Sequence, residues 1–133
     1  MINGKIIDTS VWIDYFNGII DERTNATEKF IIDGEVLMLP IILQEVLQGI
    51  RNSKDFINTK NAFLRNTFFE FNTIEMALEA ASLFRYLKRS GVTVRKPNDC
   101  LIAAICIQNK FSLLHNDKDF NNIAKYTSLK IYK

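Results

Sequence analysis

The stretch KIIDTSVWIDYF at residues 5–16 decides the fold. Its first four residues, 5–8, form a short and mostly apolar run that ends in an acid, which is typical of a buried strand. Large apolar residues then recur at helical spacing, and Thr9 and Ser10 are both suited to capping the helix that this spacing predicts. A buried strand that leads directly into an amphipathic helix is a repeating unit of α/β sheets.

Strands and helices continue to alternate along the rest of the chain. Further strands are predicted at 36–39, 68–71, Ser112–Leu114 and 129–131, and further helices at 22–33, Pro40–Gln48, 53–66, Thr73–Arg89 and 98–109. Pro40 suits a first helical turn, Gly49 and Gly91 are suited to ending helices, and Asn98 is predicted to cap one. The pattern predicts an α/β fold with a mostly parallel five-stranded sheet in the order 3-2-1-4-5 and helices on both faces.

Composition favours one soluble domain. The 133 residues, of which 47% are hydrophobic, can fill one core, and no Pro/Gly/Ser-rich linker divides them, so we expect a single domain over residues 1–133. No signal-peptide pattern opens the chain, and no apolar run approaches the roughly 20 residues of a membrane span, so we expect a cytoplasmic protein. Cys100 and Cys106 share one apolar stretch without a zinc pattern and are predicted to be reduced core residues.

Four acids fall at the predicted strand ends. Asp8 ends the first strand, and Glu45 lies in the helix after the second strand. Asp99 begins the helix before the fourth strand, and Asp117 follows that strand. Because ligands of open parallel sheets bind outside the carboxyl ends of the strands, we expect these four carboxylates to converge on one cleft.

Such a cluster of like charges calls for a counter-ion. Carboxylates crowded in a cleft are expected to bind protons unless a cation compensates their charge. Oxygen ligands without a cysteine suit Mg²⁺ or Mn²⁺ better than zinc. Since a bound metal can activate a water and stabilise charge on a phosphate, the pattern is suited to phosphodiester hydrolysis with one or two ions.

At these acids the chain resembles the PIN-domain family, and within it the VapC-type toxins of toxin-antitoxin pairs. Four segments carry the resemblance, in family order: IDTSVWID (7–14), LQEVLQG (43–49), NDCLIAA (98–104) and LLHNDKDF (113–120). The resemblance implies that the metal acids are Asp8, Glu45, Asp99 and Asp117. Three auxiliary residues accompany them: Ser10 beside the first acid, Asp119 after the fourth, and His115, where the family usually has Thr or Ser.

The family's activity and partners are implied by the same resemblance. Family members are typically Mg²⁺- or Mn²⁺-dependent endoribonucleases that cut structured RNA, often loops of transfer or ribosomal RNA. The resemblance also implies a homodimer and a small antitoxin whose C-terminal segment lies across the acidic cleft. An antitoxin arginine presented there would match the geometry of the carboxylates.

Four basic residues, Lys88, Arg89, Arg95 and Lys96, flank the loop before Asp99 and are candidates for RNA phosphate contacts. A solvated charged surface without a binding role is the competing interpretation. The net charge of +2 does not by itself indicate a nucleic-acid partner.

Two other functions remain open at the level of sequence. Phosphatases that use an aspartyl nucleophile also begin with an acid after the first strand, but they usually carry a second acid two residues later, where this chain has Ser10. The second alternative is a PIN-like RNA-binding module without catalytic turnover.

Overall fold

The computed structural model describes residues 4–132, and they alternate between strands and helices as the sequence predicts. The strands are β1 (Lys5–Ile7), β2 (Leu37–Met38), β3 (Thr67–Phe68), β4 (Ser112–Leu114) and β5 (Lys130–Ile131). The helices are α1 (Thr9–Phe16), α2 (Glu22–Ile32), α3 (Pro40–Gln48), α4 (Ser53–Leu64), α5 (Thr73–Arg89), α6 (Pro97–Asn109) and α7 (Lys118–Tyr126). The predicted α/β class is confirmed.

The described residues form two compact units. Unit 1 comprises residues 4–69 with Leu114–Asn116, and unit 2 comprises Glu70–Leu113 with residues 117–132. In unit 1, β2 and β3 pair in parallel, and Lys5 forms a parallel bridge to Val36. In unit 2, β4 and β5 pair in parallel, with Ser112 opposite Lys130. The parallel character of the sheet is as predicted, and the complete order 3-2-1-4-5 stays a prediction.

Aromatic packing stabilises unit 1. Trp12 on α1 and Phe63 on α4 are each 2% exposed, and their ring centroids lie 4.8 Å apart. Burying a side chain of this kind stabilises the fold by roughly 1.5–3 kcal/mol. Phe16 stacks on Trp12 but remains 47% exposed, so the aromatic cluster extends to the surface of the unit.

Unit 2 is built around α6, which packs against α5 and α7. Most of the α6 side chains are buried: Asp99, Cys100, Ile102, Ala103, Ala104, Ile105 and Cys106. The two cysteines are free thiols inside this core, as predicted. A helix that is apolar on nearly every side must be covered by neighbouring elements, and this fixes the position of its first turn.

Two helix starts differ from the sequence predictions. The residue that caps α1 is Asp8, whose side chain accepts a hydrogen bond from Ser10 N, rather than Thr9 or Ser10. The cap of α6 is Lys96, and Asn98 lies inside the first turn. Pro97 accounts for this second difference, because proline has no N–H to donate and its fixed φ suits the first helical position.

The bounds of the third strand and the presence of the last helix also differ from the sequence predictions. β3 lies at Thr67–Phe68 instead of 68–71 and pairs with only two residues of β2. Asn72 caps α5 by accepting a hydrogen bond from Glu75 N, so the residues between β3 and Asn72 connect these elements. Helix α7 was not predicted. Within residues 4–132, no helix is both long and apolar enough to cross a bilayer.

Candidate metal centre

Three carboxylates meet in unit 2. One oxygen each from Asp99, Asp117 and Asp119 lies within 4.8 Å of the other two. Asp99 is 4% exposed and Asp119 is 7% exposed, while Asp117 is half-buried. We call these three residues the acid cluster.

Two helix starts place the members of the acid cluster. Asp99 lies in the first turn of α6, where the helix dipole favours a negative charge. Asp117 caps α7 by accepting a hydrogen bond from Asp119 N at 2.9 Å, and Asp119 lies in the first turn of α7. Capping by Asp117 and the helix dipole at Asp99 and Asp119 explain why acids occur at these positions, but they do not require three of them to be this close together.

Basic side chains from the loop before α6 reach the acid cluster. Arg95 Nε donates to Asp119 Oδ2 at 3.1 Å, and its Nη2 lies 3.6 Å from Asp117 Oδ1. Lys96 Nζ lies 3.9 Å from Asp117 Oδ2. The hydrogen bond to Asp119 raises the pKa of the Arg95 guanidinium above its ordinary value, and the charges of Asp117 and Asp99 act in the same direction.

The donor set of the acid cluster suits a hard divalent cation. All three ligands are carboxylates, which Mg²⁺-like ions prefer over nitrogen or sulfur. The neighbouring thiol does not compete, because burial and then the charge of Asp99 raise the pKa of Cys100 to about 11, so it remains protonated near neutral pH. Arg95 and Lys96 offset part of the negative charge of the three carboxylates, and a bound metal can compensate more of it.

Asp8 in unit 1 is held by a hydroxyl group. Asp8 Oδ2 accepts hydrogen bonds from Ser10 Oγ at 2.7 Å and from Ser10 N at 3.1 Å. Ser10 Oγ in turn accepts from the backbone N of Asn116 at 3.0 Å. The Asn116 side chain donates to Asp14 Oδ2 at 2.9 Å, which ties this segment to α1.

Glu45 is positioned in a similar way. Thr9 Oγ1 donates to Glu45 Oε1 at 2.9 Å, joining the first turn of α1 to α3. Glu45 is half-buried, whereas Asp8 is 5% exposed. Among residues 4–132, neither acid takes part in an ion pair. The structure thus brings Asp99, Asp117 and Asp119 together, and the convergence of all four predicted acids stays a prediction.

His115 is buried, at 5% exposure, and its backbone oxygen accepts a hydrogen bond from Arg23 Nε at 2.9 Å. The family pattern usually has a hydroxyl side chain at this position. Here the backbone N of the next residue, Asn116, bonds to Ser10 Oγ. Ser10 is therefore held without a hydroxyl at position 115.

The sequence pattern does not predict three contacts of these networks: Thr9 with Glu45, Asn116 with Ser10, and Asp14 with the Asn116 side chain. The hydroxyl of Thr9, directly after Asp8, could have indicated that Thr9 positions a neighbouring acid. Asn116 gave a weaker signal, because its contact uses the backbone. Lys88 and Arg89 are exposed in the last turn of α5.

Comparison with known proteins identifies the family. The chain matches the PIN domain family over residues 5–126 and belongs to that family. VapC ribonuclease Mb1587 from Mycobacterium bovis and ribonuclease VapC11 from Mycobacterium tuberculosis are each 33% identical to it over 133 residues, covering 94% of this chain and 95% of the relative. The recognition of a PIN domain with VapC-type relatives is confirmed. The predicted extent of 1–133 stays a prediction, since residues 1–3 and 133 lie outside the described part.

Solved structures share the fold. The crystal structure of VapBC2 from Rickettsia felis, bound to a DNA fragment from the promoter of the pair, matches with a TM-score of 0.73. The match is 19% identical in sequence and covers 96% of each chain. The chain therefore has the single PIN-like α/β fold that its sequence predicts.

Proposed function

We propose that this protein is a metal-dependent endoribonuclease and the toxin of a toxin-antitoxin pair. The observation that carries the proposal is the acid cluster, three carboxylates within 4.8 Å of one another, in a chain of the PIN domain family. Relatives at 33% identity are named as VapC ribonucleases. The proposed ion is Mg²⁺ or Mn²⁺, because hard cations of this kind prefer carboxylate oxygens.

Asp99 and Asp117 are proposed to hold the ion, with Asp119 as an auxiliary ligand. The bound ion would supply an activated water and stabilise charge on the attacked phosphate. Asp8 and Glu45 are proposed as further metal ligands and catalytic acids in the same reaction, because each is a fixed carboxylate in a family motif. A fixed position matters because the reaction rate falls steeply when a catalytic carboxylate is displaced.

Hydroxyl groups fix these two acids. Ser10 holds Asp8 through two hydrogen bonds, and Thr9 holds Glu45 through one. Ser10 and Thr9 are therefore positioning residues in the proposal. The backbone oxygen of His115 accepts a hydrogen bond from Arg23 on α2, and the proposal gives the His115 side chain no role as a base.

The RNA substrate is proposed to contact basic residues near the acid cluster. Lys88 and Arg89 are exposed, which leaves their charges accessible to phosphate. Arg95 and Lys96 are exposed as well, but each lies within 4.0 Å of a cluster carboxylate. Phosphate contacts by all four predict RNA affinity that falls as salt concentration rises.

The proposed partners are an antitoxin protein and a second copy of this chain. The R. felis relative was crystallised as a VapBC2 assembly, and this chain shares its fold. An antitoxin arginine directed at the carboxylates would inhibit by charge neutralisation with bidentate geometry. The proposed RNA substrates are structured loops such as those of transfer or ribosomal RNA.

The main experiment measures cleavage of structured RNA by the purified protein. Cleavage is expected with Mg²⁺ or Mn²⁺, and it should be lost with a chelator, with Asp8→Asn and with Asp99→Asn. Two acids outside the site provide matched controls: Asp33→Asn in unit 1 and Glu79→Gln in unit 2, both exposed. Each control should cleave as the wild type does.

Outcomes other than loss would redirect the assignment. Cleavage that persists in either site variant would contradict the residue assignment. Metal and RNA binding without any cleavage would favour the non-catalytic RNA-binding module. Normal bacterial growth at verified high expression, without the antitoxin, would contradict the toxin role while leaving a nuclease intact.

A further inference from the structure

We propose that Arg95 is an internal counter-ion that occupies the acid cluster in competition with the divalent metal. This inference rests on the proposed function, because it concerns how the same site gains its metal. It adds a regulatory role for a residue of the chain itself. Metal binding and the contact between Arg95 and the carboxylates exclude each other.

The position of the Arg95 guanidinium supports the competition. The Arg95 guanidinium spans two members of the acid cluster, with Nε 3.1 Å from Asp119 Oδ2 and Nη2 3.6 Å from Asp117 Oδ1. The planar guanidinium presents several donors in one plane and can therefore hold two carboxylates together. Asp119 Oδ2 accepts a hydrogen bond from Arg95 and cannot direct the same lone pair toward a metal, and the guanidinium charge beside Asp117 Oδ1 repels a second cation there.

The solvent exposure of the Arg95 side chain also supports the competition. The Arg95 side chain is 63% exposed, although the two carboxylates that it contacts are 9% and 12% exposed. A buried cation would be costly to remove, but this side chain can turn into solvent without leaving a cavity. Exposed ion pairs are individually weak, so a divalent ion can replace this one.

The positive charge that Arg95 brings to the acid cluster supports the competition as well. Arg95 contacts Asp119 and Asp117, and Lys96 adds a second positive charge, with its Nζ 3.9 Å from Asp117. Arg95 therefore reduces the repulsion that the acid cluster would otherwise have in the metal-free protein. The same compensation lowers the attraction of the cluster for a second cation. The consequence is a site that fills with metal at a higher free metal concentration than an uncompensated site would.

Mn²⁺ titration of the purified full chain without RNA tests this competition, with free Mn²⁺ measured by electron paramagnetic resonance. Arg95→Gln is expected to bind Mn²⁺ roughly two- to fivefold more tightly than the wild type, as expected for the loss of an exposed ion pair. Arg85→Gln is the matched control, because it removes the same charge from an exposed position on α5. An equal increase in both variants would overturn the proposal.

Arg95→Lys separates contact from net charge. It keeps the charge, but a single ammonium group lacks the fork that holds two carboxylates. Mn²⁺ should therefore bind more tightly than in the wild type, and an unchanged affinity would overturn the proposal. The gain in Arg95→Gln should shrink between about 0.1 M and 1 M salt, where the screening length falls from roughly 10 Å to 3 Å.

The Mn²⁺ titrations distinguish a wrong competition from a wrong metal-dependent function. Measurable Mn²⁺ binding with equal affinities in the wild type, Arg95→Gln and Arg85→Gln would contradict the competition only. No Mn²⁺ binding in any of these proteins would contradict the metal-dependent function and the competition together. Weaker binding in Arg95→Gln would show that Arg95 organises the carboxylates for metal instead of competing with it.

Discussion

The acids of unit 1 and those of unit 2 are stabilised by different kinds of donor. In unit 1, Asp8 and Glu45 accept hydrogen bonds from the neutral hydroxyls of Ser10 and Thr9. In unit 2, the acid cluster contacts the charged side chain of Arg95. Neutral donors orient a carboxylate and leave its charge in place, whereas a guanidinium orients it and compensates the charge.

The two kinds of donor differ in whether they can be replaced by another partner. A hydroxyl bonded to a carboxylate is part of the fold, and its loss leaves a carboxylate that is less well oriented. A guanidinium bonded to a carboxylate is one of several possible cations, so another cation can replace it. We therefore expect the acid cluster of unit 2 to dominate metal affinity and the hydroxyls of unit 1 to dominate positioning.

The largest expected effect is on metal binding in unit 2. Asp99→Asn keeps the shape of the side chain but removes one charge and one good ligand. Mn²⁺ affinity should fall by roughly 100-fold or more, since changes outside the direct ligands already cost 10- to 100-fold. Isothermal titration calorimetry measures the affinity, with Glu79→Gln as control. A loss of less than about tenfold would argue that Asp99 only favours the start of α6.

The next effect concerns positioning in unit 1. Ser10→Ala removes the hydroxyl that joins Asp8 to Asn116, so RNA cleavage at saturating metal should fall by roughly 10- to 100-fold. Ser10→Thr keeps a hydroxyl and should restore most of the rate. Ser53→Ala, at the exposed start of α4, should leave it unchanged. A failure of Ser10→Thr to restore cleavage would point to a packing role.

A smaller effect is expected on thermal stability. A ligand that binds only the folded state stabilises it, by about 1.4 kcal/mol at a free concentration ten times its Kd. Mn²⁺ should therefore raise the Tm of the wild type by a few degrees, as measured by differential scanning calorimetry. At the same concentration, Asp99→Asn should show almost no rise. An equal rise in both proteins would place the metal outside the acid cluster.

The smallest effect tests a neutral donor that is not part of the proposed site. Tyr15 donates to Glu28, and this hydrogen bond, followed by burial and the charge of Glu28, raises the pKa of Tyr15 to about 12. The contribution of this pair to stability is complete below pH 10 and is lost as the pH rises from 10 to about 12. Ultraviolet titration should show a lower Tyr15 pKa in Glu28→Gln, with Tyr15→Phe identifying the signal. An unchanged titration would mean that the hydrogen bond does not hold the proton.

Much of the fold could be predicted because its signals are local. Helices α3 and α5 have the predicted bounds, since Pro40 fits a first turn and Gly91, with φ of +89°, follows the end of α5. The two-residue strand β3 was placed with wrong bounds. Short strands are decided by their pairing partner, and pairing is not written in a local pattern.

Candidate acids could be chosen from sequence because each one lies within a family motif, Asp8 and Asp117 at strand ends, Asp99 at a helix start and Glu45 inside α3. Their chemical class, hard oxygen donors without a nearby reactive thiolate, was also readable there. The sequence did not reveal that Asp119 belongs with Asp99 and Asp117 as closely as the structure shows. Asp119 follows Asp117 by two residues, and only the start of α7 turns both side chains toward Asp99.

Local periodicity and motifs along the chain are enough to predict the alternation of elements, the family and the residue types that the site can contain. The donor of each carboxylate becomes known only from the folded structure. Thr9 meets Glu45 across 36 positions of sequence, and Arg95 meets Asp119 across 24. Such partners depend on how separate helices pack, and packing is a property of the folded chain.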